Sequence, residues 1–191
     1  MIGEVLIFLK NQLNAYLELK SGRQPAEPTE EIVVFLNEAG DTTTFKLGAV
    51  SALLINIEEE KILRSADPFT TVDSNGVSRK VQPEIRLNLY VLFVAHFDPY
   101  EEGLTFLSLI IKYFLHNRQF NHHNAPALSD EVEQLVMELV TLPFSEQNEV
   151  WNALRTAYLP SVLYKVKMVV FRDEDTVPTT EITEKVIRIA Q

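Results

Sequence analysis

Between Ile85 and Phe97 every odd-numbered residue is apolar: Ile85, Leu87, Leu89, Val91, Phe93, Ala95 and Phe97. A period of two marks a β-strand with one face in a core. The even positions open with Arg86 and Asn88 and close with His96, yet Leu92 and Val94 between them are apolar too. The segment therefore predicts a strand inside a sheet whose second face is also covered, by helices or by another subunit. Asp98-Pro99 stops it and is expected to cap a following helix.

The segments around this strand supply candidate layers. Residues 2–20 place Ile2, Val5, Leu6, Leu9, Leu13, Tyr16 and Leu17 at helical spacing, and Ser21-Gly22 offers a C-terminal cap. Ile7 and Phe8 widen that apolar face, which predicts either deep packing or a shared surface between subunits; Phe8 and Leu9 are the candidate interface residues. After a Pro-containing loop, EIVVFLNEA reads as a short strand, and Ala39-Gly40-Asp41 as a turn into a second arm over residues 42–46, a hairpin. VSALLINIEEEKIL is apolar on both faces and predicts a central strand. Residues 67–84 read as a long mobile connector with a turn at Ser74-Asn75-Gly76.

Residues 100–116 are apolar around most of a helical circumference, which predicts a buried helix. His116 to Leu128 follows as a polar loop centred on Asn121-His122-His123-Asn124. Residues 131–142 fit a helix through Val132, Leu135, Val136, Leu139 and Val140, and a strand through Leu135, Met137 and Leu139; periodicity slightly favours the helix. Ser145 is placed as an N-cap with Glu146 and Glu149 near the positive helix end, and Val150, Trp151, Leu154 and Tyr158 share a face until Pro160. From Ser161 to Phe171, Val162, Tyr164, Val166, Met168 and Val170 alternate against Leu163, Lys165, Lys167 and Phe171, a further strand. An acidic RDEDTVPTTE linker precedes a last short strand at EKVIRIA.

Composition excludes several classes. At 191 residues with 46% hydrophobic residues, the chain suits one domain with a sizeable core. It has no cysteine, which removes disulfides, thiolate metal sites and thiol nucleophiles together. The net charge of −10 opposes binding to phosphate backbones, so nucleic acid is not an expected partner. The N-terminal MIGEVLIFLK carries Glu4 and no basic leader, and no apolar run spans a bilayer; cytoplasmic synthesis without membrane insertion is expected.

The search for chemistry finds little. His116, His122 and His123 lie near one another in sequence, but their spacing fits no established metal pattern. A small enzyme or ligand- or metal-binding module using the His122-His123 loop is the alternative reading. Asp73-Ser74-Asn75-Gly76 resembles the opening of a calcium loop, but its Gly comes too early and Val77 replaces an oxygen donor, so a reverse turn is expected. There is no G-x-S-x-G elbow and no phosphate-cradling Gly-rich loop. The runs at Glu58-Glu59-Glu60, Glu101-Glu102 and Asp173-Glu174-Asp175 read as solvated edges, and Trp151 with Tyr158 as core. No catalytic residue, cofactor or metal ligand is assigned.

One resemblance extends over most of the chain. Leu142-Pro143, Ser145-Glu146-Gln147-Asn148, Val150-Trp151-Asn152-Ala153-Leu154 and the run from Tyr158 to Val166 resemble the tail-terminator or cap proteins of contractile injection systems. Leu87 to Phe97, the Asp98-Pro99-Tyr100-Glu101-Glu102-Gly103 turn, the apolar helix to His116, and Phe120 follow in the same order. The resemblance implies an α+β, phage tail-terminator-like fold, a mixed sheet flanked by about three helices, with a strand over residues 131–142. It implies a non-enzymatic cap: a homo-oligomer, a hexameric ring, on the last layer of inner tube and sheath, with a second cap ring as a further candidate partner. Trp151, Leu154, Tyr158, Pro160 and Tyr164 carry over as structural positions only. Residues 1–175 are expected to form the cap domain. Residues 176–191 are expected to form an arm whose Val186, Ile187 and Ile189 add a strand to the sheath. The LPFSEQNE approach to the helix is less Leu-rich than in relatives, and with Gln191 as the last residue of the sequence, the C-terminal module of some of them is not expected.

Overall fold

The computed structural model describes residues 2–22, 31–36, 43–60, 70–72, 78–80 and 85–171. Three helices and eight strands lie within them: α1 (Ile2–Ser21), β1 (Val33–Phe35), β2 (Ala49–Glu59), β3 (Thr70–Val72), β4 (Ser78–Lys80), β5 (Ile85–His96), α2 (Tyr100–His116), β6 (Gln119–Asn121), β7 (Gln134–Val140), α3 (Phe144–Leu154) and β8 (Ser161–Phe171). Six strands form one mixed sheet in the order β1-β2-β5-β8-β7-β6, antiparallel throughout except for the parallel β1-β2 pair. The architecture is α+β.

The strand from Ile85 sits inside this sheet, between β2 and β8, and its two apolar faces meet two different layers. Leu89, Val91, Phe93, Ala95 and Phe97 face a large core closed by α1 and α2. Leu92 and Val94 face a smaller one closed by Trp151 of α3, with Phe45, Leu53 and Leu163. Burying so many large side chains against one face supplies the main drive to fold, at roughly 25 cal/mol per Å2 of apolar surface.

On α1 the buried residues Val5, Phe8, Leu9, Leu13 and Leu17 recur every three or four positions, as one helical face should. Gly22, at φ +64, ends the helix in the left-handed conformation that glycine adopts without a Cβ penalty. On α2 the inward face is Phe106, Leu107, Ile110, Tyr113 and Phe114. Expectation and structure differ here: Tyr100, Leu104 and Leu115 are exposed, so α2 covers the sheet with one face and is not surrounded. Aromatic rings fill the space beneath it. Phe93 lies 5.9 Å from Phe114 and 6.1 Å from Tyr164, and Phe8 meets Phe120 edge-on at 5.4 Å.

Other expectations are corrected. The hairpin expected after EIVVFLNEA does not form: β1 runs parallel to β2, and residues 43–46 are not a strand. Gly48, at φ 75, turns the chain into β2, and Phe45 is buried against the smaller core. Alternation specified which face of β1 is apolar, but not which neighbour it would choose. The turn expected at residues 39–41 lies outside the described residues. Within the connector, β3 and β4 pair antiparallel, Thr70 opposite Lys80 and Val72 opposite Ser78, and the turn expected between them is outside the described residues. The polar loop after α2 contains β6, whose Phe120 is buried.

Both expected N-caps shift to prolines. The cap of α2 is Pro99 and not Asp98, and that of α3 is Pro143, which puts Ser145 inside the helix. A residue before proline is held extended, so the helix starts after the ring; neither cap has a side-chain hydrogen bond. The first-turn amides close back instead, Glu102 N to Pro99 O at 3.1 Å and Gln147 N to Pro143 O at 2.9 Å. Helix α3 ends at Leu154, well before Pro160, because Arg155 adopts left-handed φ 52. The strand implied over residues 131–142 is β7.

Candidate functional site

Among the described residues, the sheet face that carries α3 is the less covered one. Trp151 is 5% exposed and packs edge-on against Phe45 at 6.0 Å and Tyr158 at 5.4 Å, with Val150 and Leu154 half-buried beside it. Phe144, in the first turn of α3, is 91% exposed, and Tyr158 is 59% exposed. These two rings border a pocket of about 450 Å3 whose floor is Trp151 and whose remaining wall is Gln147 and Asn148. On the other side of α3 a groove of about 1200 Å3 runs along the sheet past Leu53, Ile55, Val150 and Leu154, with the carboxylates Glu146 and Glu149 beside it. Exposed aromatic rings over a buried one are the usual composition of a contact surface.

Beyond α3 the same face turns polar. Strand β8 passes from buried Leu163 to Lys165 and Lys167, and the pattern across the sheet follows. Lys165 Nζ bonds Glu58 Oε2 at 2.9 Å and lies 5.2 Å from the Tyr90 ring centre, while Tyr90 OH donates to the same carboxylate oxygen at 2.8 Å. Lys167 pairs with Glu138 of β7, and Asn88 Nδ2 donates to Glu60 at 3.1 Å. The hydrogen bond from Lys165, with that from Tyr90, holds the Glu58 carboxyl below the usual range. Partial burial opposes the charge on Lys165, but its bonds to Glu58 and Tyr90 outweigh this and its pKa is raised. The arrangement is a polar crossing of β2, β5, β8 and β7 beside the apolar half of the face.

The residues singled out from sequence divide between the two faces. Trp151, Leu154 and Tyr158 come together on the α3 face. Pro160 prolongs the β5-β8 pairing, its carbonyl accepting Ala95 N–H at 2.9 Å. Tyr164 points the other way, into the larger core, 4.8 Å from Phe114, where burial pushes its hydroxyl up to about 12. Phe8 and Leu9 are buried within the subunit, and Ile7 and Leu19 are large apolar residues of α1 that are exposed. Val186, Ile187 and Ile189 lie outside the described residues. Phe144 was missed in sequence, where nothing distinguishes an exposed phenylalanine from a core one.

The histidines do not assemble. His122 and His123 are exposed in a turn organised by asparagines, Asn121 Oδ1 accepting the amides of His123 at 3.0 Å and Asn124 at 3.2 Å. His96 Nδ1 lies 3.0 Å from Phe45 O, and His116 Nδ1 2.7 Å from Lys112 O. Among the described residues no group of three or more His, Asp or Glu side chains is placed to hold an ion. Among them, too, no helix is long and apolar enough to cross a membrane.

The likeness to known proteins lies in architecture. A solved structure described as the PVC sheath/tube terminator of an extracellular contractile injection system, in the extended state, superposes over 100% of this chain, with a TM-score of 0.60 at 19% identity. The anti-feeding prophage tube-terminating cap superposes over 74% of the chain, with a TM-score of 0.52 at 16% identity. The chain spans 64% of the first protein's length and 49% of the second's. No curated protein matches it in sequence. At these identities the likeness establishes a shared fold. Residues 4–185 match the sequence pattern of the Pvc16 N-terminal domain, and the chain belongs to that family.

Proposed function

We propose that this chain is a structural, non-enzymatic cap that sits on the end of the inner tube and contractile sheath of a contractile injection system and stops their growth. The observation that carries this reading is the superposition of the whole chain on a sheath/tube terminator, joined to a family match from residue 4 to residue 185. The α3 face supports it, because an exposed Phe144-Tyr158 pocket beside a ladder of charged pairs is a surface suited to protein contact. Subunits close into a hexameric ring through heterologous contacts that return on themselves. Synthesis and assembly take place in the cytoplasm. Residues 176–191, with Val186, Ile187 and Ile189, serve as an arm that adds a strand to the sheath.

Negative-stain microscopy of the purified chain, alone and mixed with tube and sheath, tests the reading. Rings, and density attached at particle ends, are expected; monomers that never attach would contradict it. Deleting residues 176–191 is expected to leave rings intact and abolish attachment to the sheath, and unchanged attachment would remove the arm from the account.

A further inference from the structure

A sheet edge ordinarily presents unpaired backbone donors and acceptors to any passing strand. Among the described residues the edge strands of this sheet are β1 and β6, and each is met on its outer side by an asparagine carboxamide. At β1, Ile32 O faces β2 and accepts Val50 N–H at 2.8 Å, so the Val33 amide and carbonyl point away from the sheet. Asn14 of α1 receives that amide at Oδ1 (2.7 Å) and donates Nδ2 to that carbonyl (3.0 Å), the two bonds a neighbouring strand would have made. Asn14 is itself buried, and these bonds satisfy its amide in an otherwise apolar helix face.

At β6 the same device is built locally. Arg118 O faces β7 and accepts Met137 N–H at 2.8 Å, which turns Gln119 O and Asn121 N outward. Asn124 takes both: its Oδ1 accepts Asn121 N–H at 2.8 Å and its Nδ2 donates to Gln119 O at 2.8 Å. Ala125 N–H occupies Asn121 O at 2.8 Å, and Asn121 Oδ1 pins the turn by accepting the amides of His123 and Asn124. The Asn-His-His-Asn motif thus has a use for its outer residues, and the histidines are the exposed positions between them.

We infer that Asn14 and Asn124 are edge locks that bar a strand of a second copy of the chain from adding to this sheet at β1 or β6. The inference stands on these hydrogen bonds and does not require the capping role. It also gives strand sharing a direction: at β1 and β6 this sheet does not receive a strand from a second copy.

The test uses the full chain with Asn124→Ala, an exposed position, and separately with Asn14→Leu, each followed by hydrogen exchange and sedimentation at low and high concentration. In N124A, exchange over residues 119–121 is expected to rise about ten-fold or more at low concentration, while β5 and β8 stay protected. At high concentration the variant is expected to form species larger than those of the unsubstituted chain, with residues 119–121 slowing again as freed edges pair. Exchange at the unsubstituted rate, or faster exchange without new association, would overturn the inference. Should N14L fail to fold, N124A alone carries the decision.

Discussion

Among the described residues the two faces of the central sheet are covered to different extents. The face under α1 and α2 is closed along β2, β5, β8 and β7, with Phe8, Phe93, Phe114, Phe120 and Tyr164 filling it. The face under α3 is closed at one end by Trp151 and Phe45 and then opens into the Glu58-Tyr90-Lys165 crossing. The contrast teaches where stability and contact reside. On the first face α1 and α2 stand between the sheet and any partner, whereas α3, a short helix with a 91% exposed phenylalanine, leaves apolar surface beside the sheet itself.

The comparison breaks first at Phe93. This ring is 1% exposed and enclosed by Phe114 and Tyr164, so Phe93→Ala is expected to cost about 4–5 kcal/mol in urea unfolding. A loss no larger than that of an α3 substitution would mean that the two faces are energetically equivalent. Trp151→Ala is expected to cost about 3 kcal/mol, because the adjoining pocket admits water into the space left behind. Hydrogen exchange should then show α3 opening while α1 and α2 stay protected.

Alkaline titration probes the closed face through its buried tyrosines. Burial pushes the hydroxyls of Tyr113 and Tyr164 up to about 12, and both belong to the core beneath α1 and α2. A raised tyrosine pKa keeps its proton in the fold after the unfolded chain has lost it. The contribution is therefore full below about pH 10 and is lost progressively as pH rises towards 12, by about 1 kcal/mol per tyrosine at pH 11. Stability that stays flat from pH 9 to 11 would place both hydroxyls in contact with water. Phe144→Ser is expected to have the smallest effect on folding, within about 0.5 kcal/mol, since its ring touches mostly solvent. Its consequence should appear in binding, as weakened attachment to tube and sheath ends.

How much of this was legible in sequence varies by element. Strand β8 runs from Ser161 to Phe171 and α2 from Tyr100 to His116, as alternation and proline punctuation predicted, because both signals are local. Strand β7 was decided by family resemblance, since its apolar residues satisfy two periods. What failed was set by partners far away in the chain. Nothing local tells β1 to run parallel to β2, and the amide of Asn14 matters only after α1 has packed beside Val33, 19 positions on. The same holds for the candidate site. Trp151 announced itself as core, but nothing local marks Phe144 as exposed, and Tyr158 lies past α3 because the helix stops at Leu154, where Arg155 turns left-handed.

Termination is the central claim, and particle length measures it most directly. Particles assembled from tube and sheath with this chain present should have capped ends and a narrow length distribution, and those assembled without it should be longer and broadly dispersed. Equal length distributions with and without the chain, with ends left bare, would contradict the account.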